Sequence, residues 1–157
     1  LRENRPAILH GVKVGVACIL VARYYEQIRQ LTRQQVAERL KAAALPDRAQ
    51  EIQRIKAGYG PISDQIVAEQ APFLEMSEHS LGLLKQRVLD HWAGILEIAS
   101  AVPTSQELVN LTRKAGGPVN AKMIGLGDDE TTLGLEYSHY LRNRFTVLKL
   151  SRILGIR

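Results

Sequence analysis

Four histidines and one cysteine are the side chains of this 157-residue sequence best suited to metal or nucleophilic chemistry. The histidines are His10, His79, His91 and His139, and no two stand at the four-residue spacing with which helical histidines bind zinc. Glycine-rich phosphate loops and the G-x-S-x-G turn of serine hydrolases are absent from the sequence. We therefore expect no complete active site, no catalytic residue and no nucleotide-binding residue within this chain.

One short segment, residues 9–16, has the composition of a loop that presents a histidine at the start of a helix. His10 comes directly before Gly11, which allows a close approach of the backbone, and Gly15 follows about one helical turn later. Lys13 lies three residues after His10, where a cation is mildly unfavourable to the helix dipole. On spacing alone, simple packing or capping by His10 remains open beside a functional role.

The single cysteine, Cys18, lies in an apolar stretch and is expected to be a buried structural thiol. One cysteine without a partner favours a reducing, cytoplasmic location. The apolar run around it, residues 12–22, is too short to span a membrane. We expect a soluble protein without a membrane partner.

Apolar residues recur at helical spacing along nearly the whole chain. Helices are predicted over residues 11–30, 32–44, 47–57, 62–70, 73–101, 104–114, 128–141 and 146–154. Thr32 with Gln35 and Thr104 with Glu107 match the capping box, and Asp47 is expected to cap the third helix. Strand-like alternation and internal repeats are absent, so the sequence predicts an irregular all-α fold rather than a repeat solenoid.

The longest predicted helical stretch, residues 73–101, contains Gly82 and Gly94, which mark either a break or close packing. Trp92 and the aliphatic stripe around it are expected in the core. His79, His91 and His139 are expected to be surface residues or helix residues with satisfied polar atoms. Residues 1–6 look like a loop entered in the middle of a protein, which suggests that the chain is a piece of a longer one.

Several segments together resemble one enzyme family. The pattern H-G-x-K-V-G at residues 10–15, at the start of a long apolar helix, resembles a motif of the iron-containing alcohol dehydrogenase and dehydroquinate synthase-like superfamily. R-K-A-G-G-P at residues 113–118, I-G-L at 124–126 and L-R-N-R-F-T-V-L at 141–148 are similar to the C-terminal end of sn-glycerol-1-phosphate dehydrogenases. The resemblance covers most of the chain and is weakest between about residues 40 and 100.

This resemblance implies a two-domain enzyme. Residues 1–157 would form a single helical metal and substrate domain at the C-terminal side, and an N-terminal nucleotide-binding domain would bind NADH or NADPH. The metal of the family is held by one aspartate and two histidines, and the last histidine corresponds to His10. The other two ligands would precede Leu1. Zinc, nickel and iron all accept an imidazole ligand, so the residue type does not choose the metal.

The reaction implied by the resemblance is the reduction of dihydroxyacetone phosphate to sn-glycerol 1-phosphate, a step of phospholipid metabolism. Hydride would pass from the nicotinamide to the carbonyl carbon while the metal acts as a Lewis acid. The substrate phosphate needs cations, and Lys13 and Arg144 are the candidates. The isolated chain is expected to be inactive, and a homo-oligomer is possible.

Other functions stay open. A dehydroquinate synthase-like enzyme is the alternative within the superfamily. A helical nucleic-acid or protein binding module is the alternative from another class, because the net charge is +5. Lysine and arginine are interleaved with acidic residues, and no basic stripe or aromatic stacking platform is present, which disfavours nucleic acid. A separated domain would also expose an apolar surface beside His10 and tend to self-associate.

Overall fold

The computed structural model describes residues 7–156, and every regular element in that range is helical. The loop predicted for residues 1–6 lies outside the described residues. The α-helices are α1 (His10–Arg29), α2 (Arg33–Ala42), α3 (Arg48–Tyr59), α4 (Ser63–Glu69), α5 (Ala71–Leu74), α6 (Glu78–Asp90), α7 (Trp92–Ala101), α8 (Ser105–Lys114), α9 (Asp128–Tyr137) and α10 (Val147–Ile153). Single 3₁₀ turns span Gly60–Ile62, Lys122–Ile124 and Ser138–Tyr140. The predicted all-α class is confirmed.

Side-chain caps begin three helices where the sequence predicts them. In the box before α2, the Gln35 backbone N–H donates to Thr32 Oγ1 at 3.2 Å and the Thr32 N–H donates to Gln35 Oε1 at 2.9 Å. The same reciprocal pair joins Thr104 and Glu107 before α8. Asp47 caps α3 by accepting from a backbone N–H of its first turn. These local bonds satisfy N–H groups that a helix start leaves without an intrahelical partner.

The long stretch predicted over residues 73–101 is interrupted twice, at positions other than its glycines. The side chain of Ser77 caps α6 and so starts a new helix. His91 then separates α6 from α7, with φ −99° and ψ 13°. Gly82 and Gly94 both lie inside helices. The cap at Ser77 therefore decides the first break, because its hydroxyl offers the backbone a local alternative to a continuous helix.

The predicted helix over residues 128–141 also ends early. α9 stops at Tyr137, and a 3₁₀ turn follows that buries His139 and Tyr140. Arg142 and Arg144 lie outside any helix, in the segment between this turn and α10. The Ser138 hydroxyl donates to the Leu135 carbonyl at 2.9 Å, which satisfies an acceptor at the helix end.

The main core is formed by helices from both halves of the chain. Its buried members are Ile28, Val36, Leu40, Val88, Trp92, Ala99, Leu150, Leu154 and Ile156. Trp92 is 3% exposed, which confirms the prediction of a core tryptophan. A small core lies between α3, α4, α5 and the 3₁₀ turn before α10, and it contains Ile55, Ile66, Leu74 and Tyr140. Two adjacent cores, rather than a repeated layer, give the fold its irregular arrangement.

Helix α1 packs along α7, α8 and α10. Its C-terminal end is fixed by Arg29, whose Nε donates to the Ala99 carbonyl at 2.7 Å, and by Glu26, which accepts from the Ser105 N–H. The guanidinium of Arg29 also donates to the carbonyl of Val102. These contacts join the C-terminal end of α1 to the turn between α7 and α8.

Close packing of α9 on α3 depends on one glycine. A Cβ built at Gly58 would lie 2.8 Å from Cδ2 of the Tyr137 ring, a distance that real Cβ atoms do not adopt. The hydroxyl of Tyr59 donates to the carbonyl of Tyr137 at 2.7 Å. Gly60 follows with φ +51°, a left-handed conformation that glycine adopts without a Cβ clash.

Cys18 is exposed, so the prediction of a buried structural thiol is wrong. The apolar stretch around it forms one helix, α1, that buries only one face. The buried residues of its N-terminal half are Val16, Ile19 and Ala22. A rotation of about 100° per residue turns Cys18 away from Val16 and toward solvent. The apolar residues around Cys18 predicted a buried thiol, but the orientation of α1 places Cys18 on its exposed side.

None of the described helices combines the length and the apolar character needed to cross a bilayer.

Candidate functional site

His10 is the first residue of α1, and its side chain is exposed. No side-chain cap precedes it, because the N-cap position is Leu9. Lys13, also exposed, follows on the same side of the helix, since residues three apart are neighbours on a helix surface. The fold therefore presents an imidazole and an ammonium group together at one end of α1.

Two large apolar side chains near His10 are exposed to solvent. Leu9 is 76% exposed and Val14 is 43% exposed, and Gly11 and Cys18 on the same half of α1 are exposed as well. Large apolar side chains that remain in solvent beside a polar group are typical of surfaces that another chain or domain covers. Two exposed apolar side chains therefore lie beside His10, and the larger apolar surface of a separated domain stays a prediction.

A metal site would need more ligands than this part of the chain supplies. Among residues 7–156, no group of three histidine, cysteine or carboxylate side chains is placed to hold a metal ion. His10 has the right donor and the right exposure for one ligand, yet one imidazole does not make a site. The described residues therefore do not fit a complete metal centre.

The other three histidines divide into two classes. His79 and His91 are exposed, in agreement with their prediction as surface residues. His139 is buried, and its Nε2 accepts a hydrogen bond from Arg152 Nη1 at 2.6 Å. Its Nδ1 has no partner within the described chain, so the expectation of a surface residue or a fully satisfied one is wrong for His139. Burial follows from the 3₁₀ turn that ends α9 and directs the ring inward.

His139 belongs to a buried polar cluster that the sequence did not predict. Glu51, on α3, is 2% exposed and forms an ion pair with Arg152 on α10. The hydroxyl of Tyr140 donates to the same carboxylate and accepts from Arg152 Nη1 at 3.2 Å. Arg54 reaches Glu51 at 3.4 Å. The Glu51 carboxylate thus accepts hydrogen bonds from two guanidinium groups and one phenol hydroxyl.

The cluster continues to a buried lysine. Gln70 is fully buried; its Nε2 donates to the carbonyl of Tyr140 at 2.8 Å, and its Oε1 accepts from Lys149 Nζ at 2.9 Å. Lys149 Nζ also donates to the carbonyl of Arg142 at 3.2 Å. The lysine is therefore held between a side-chain amide and a loop carbonyl, and it fixes the segment before α10 against α4.

Burial in this cluster favours the neutral forms of two titratable groups, His139 and Tyr140. Burial first, and then the positive charges of Arg152, Lys149 and Arg54, lower the pKa of His139 to about 3. Burial and the hydrogen bond to Glu51 raise the pKa of Tyr140 above its ordinary value. At neutral pH a neutral imidazole and a protonated phenol therefore lie beside the Glu51–Arg152 pair.

A signal for this cluster does exist in the sequence. Glu51 stands four residues before Ile55 on the buried face of α3, where periodicity alone would place an apolar residue. Lys149 likewise precedes Leu150 within the apolar run of α10. A charged residue in an apolar stripe predicts a buried partner, but it does not name the partner.

Arg144 lies far along the chain from His10 and Lys13, in the segment between the last 3₁₀ turn and α10. It is exposed and lines a cleft with Phe73 and Lys149. Within the part of the chain that the structure describes, no hydrogen bond or ion pair joins Arg144 to the first turn of α1. The fold thus brings His10 and Lys13 together and gives Arg144 different neighbours.

Comparison with known proteins gives one distant similarity. The chain is 23% identical over 149 residues, 94% of its own length, to the glycerol-1-phosphate dehydrogenase [NAD(P)+] of Geobacillus stearothermophilus. It spans only 28% of the length of that relative. No family model matches the chain. No solved structure matches it either. This distant similarity supports a relationship between the chain and a family of dehydrogenases.

Proposed function

We propose that this chain is the helical metal- and substrate-binding part of an NAD(P)H-dependent dehydrogenase that reduces dihydroxyacetone phosphate to sn-glycerol 1-phosphate. The observation that carries the proposal is the similarity to a glycerol-1-phosphate dehydrogenase over 94% of the chain. In this proposal, a nucleotide-binding part elsewhere in the protein supplies the nicotinamide site. We expect the chain alone to be inactive and the whole protein to function in the cytoplasm.

The start of α1 supports this function. His10 is exposed beside Leu9 and Val14, which leaves its imidazole accessible to a metal ion shared with another domain. We assign it as one ligand of a divalent metal, zinc, nickel or iron, whose remaining ligands come from outside the described residues. Such a metal, when bound, would polarise the carbonyl oxygen of the substrate. Lys13, three residues on, is the cation that we assign to the substrate phosphate.

The test uses the longest open reading frame that contains this chain. The full-length protein is expressed, and oxidation of NADH and NADPH is followed with dihydroxyacetone phosphate, with and without added zinc or nickel. We expect metal-dependent turnover that His10→Ala abolishes. Lys13→Gln should raise KM for the phosphorylated substrate more than it lowers kcat, because the phosphate contact contributes equally to substrate and transition state.

His79→Ala is the matched control, since His79 is also an exposed histidine in the first turn of a helix. It should retain the parent turnover. Turnover that survives His10→Ala in a folded protein would remove His10 from the site. Absence of turnover by a folded, metal-loaded protein, together with activity on dehydroquinate synthase substrates, would favour the alternative enzyme.

A further inference from the structure

A cleft of about 200 Å³ lies between α5, the middle of α6, α10 and the segment that leads into α10. Its walls are mainly apolar: Pro72, Phe73, Met76, Leu84, Phe145 and Ile153. Its polar contributors are Asn143 and two cations, Arg144 and Lys149, and no acidic residue lines it among the described residues. An apolar cleft with a few convergent polar groups is the usual form of a small-molecule site.

Lys149 is the unusual member of this lining. It is only 6% exposed, and its ammonium group donates to two neutral acceptors, Gln70 Oε1 and the carbonyl of Arg142. An ammonium group has three donors, so one N–H remains without an acceptor among residues 7–156, and the nitrogen lies 5.6 Å from the centroid of the Phe73 ring, which lines the cleft. No ion pair of Lys149 is present within the described residues. A buried ammonium without a counter-anion is costly, which favours an anion beside it.

The surroundings strengthen that charge imbalance. Arg152 lies one helical turn after Lys149, and Arg54 faces the same cluster, whereas Glu51 is the one carboxylate of the cluster within the described chain. Burial lowers the pKa of Lys149 because it disfavours the ammonium form, and an anion in the cleft would oppose that shift. Arg144 adds another cation at the exposed edge of the cleft.

A second cleft, of about 290 Å³, shares the wall of Phe73 and Ile153 but is a poorer anion site. Asp47 and Glu51 line it, and its cations Arg54 and Arg152 already pair with Glu51. Of the two clefts, the first is therefore the one whose lining cations, Arg144 and Lys149, have no carboxylate partner among the described residues.

We propose that the cleft beside Lys149 and Arg144 binds a small oxyanion, a carboxylate or phosphate ester, that carries a short apolar chain. The head group lies against the two cations, and the chain lies against Phe73 and Phe145. The volume equals that of about seven water molecules at ~30 Å³ each, which suits a chain of about six carbons. The site uses neither His10 nor Lys13, and it assigns Arg144, which the sequence also offered for the substrate phosphate, to this cleft instead.

The proposal is tested by calorimetric titration of the full-length protein with four compounds: hexanoate, hexyl phosphate, hexylamine and inorganic phosphate. We expect hexanoate or hexyl phosphate to bind, and the one with the higher affinity identifies the head group that the cleft prefers. Inorganic phosphate should bind more weakly because it lacks the chain, and hexylamine should not bind. Arg144→Gln should weaken binding at least about tenfold, as expected for loss of a charge-assisted hydrogen bond.

Arg142→Gln is the matched control: Arg142 is exposed two residues away and does not line the cleft. It should bind with parent affinity, and so should His10→Ala. Phe145→Ala, at a half-exposed position that should not disturb folding, should also weaken binding. Binding that is unchanged in Arg144→Gln, equal for hexylamine, equal for inorganic phosphate, or absent for both anionic amphiphiles would overturn the proposal.

Discussion

The carboxylate of Glu51 and the guanidinium of Arg152 form a buried ion pair across 101 residues of sequence. The side chain of Glu51 is 2% exposed and that of Arg152 is 28% exposed. The pair joins α3 to α10, and Tyr140 bonds to both partners. It therefore connects the small core to the helix that completes the main core.

Loss of the negative charge at this pair should destabilise the fold. We expect Glu51→Gln to lower the free energy of unfolding by about 3 kcal/mol, because it leaves the Arg152 guanidinium without its buried counter-ion. Urea denaturation followed by circular dichroism measures the change.

Glu75→Gln is the matched control for that substitution. Glu75 pairs with Arg48 at 3.3 Å, but the two side chains are 59% and 58% exposed, so its loss should cost less than about 1 kcal/mol. Equal losses of unfolding free energy in the two variants would show that burial does not increase the contribution of the Glu51–Arg152 pair to stability.

The buried imidazole of His139 makes stability depend on pH. The pKa of His139 is about 3 in the folded protein, and an ordinary histidine in an unfolded chain has a pKa near 6.5. Between these values the unfolded state binds a proton that the folded state does not. The free energy of unfolding should therefore fall as the pH is lowered from about 6.5 toward 3, by at most about 1.4 kcal/mol per pH unit.

His139→Gln removes this titrating group and should flatten the pH dependence over that interval, as measured by urea denaturation at several pH values. His79→Gln, at an exposed histidine, should keep the parent slope. A parent slope in His139→Gln would argue that other groups cause the acid sensitivity.

The capping box of α8 should contribute measurably to stability. Thr104→Ala removes the hydroxyl that accepts from the Glu107 N–H, and we expect a loss of about 1 kcal/mol in the free energy of unfolding. Thr132→Ala, at an exposed position inside α9, is the control and should be neutral or slightly stabilising, since alanine favours helix interiors. A loss as large in the control would remove the cap as the cause.

Exposure of Cys18 predicts a reactive surface thiol. In the folded 157-residue chain, a thiol reagent should modify Cys18 at a rate comparable with that of the urea-unfolded chain, because no packing shields the sulfur. The Cys18→Ser chain has no other cysteine and gives the background rate. Protection that only urea relieves would mean that this face of α1 is covered, for example by a second copy of the chain.

Local interactions made much of the fold predictable. The all-α class, the start of α1 and the caps at Thr32, Asp47 and Thr104 all follow from residues a few positions apart. The placement of His10 on the first helical turn follows in the same way, from a pattern within ten residues. Such features depend on backbone N–H groups and their nearest side chains, which the sequence displays directly.

Tertiary structure decided the rest. Whether Cys18 points inward or outward depends on which face of α1 meets α7, α8 and α10, and local apolar composition does not carry that information. Besides nearer partners, Glu51 pairs with Arg152, 101 residues away, and Lys149 with Gln70, 79 residues away, and the turn that buries His139 lies between these segments. Burial free energy and buried charge pairing are properties of many distant residues together. The sequence by itself therefore determined the all-helical class, three side-chain caps and the position of His10 at the start of α1, while tertiary packing created the buried cluster and the cleft beside Lys149.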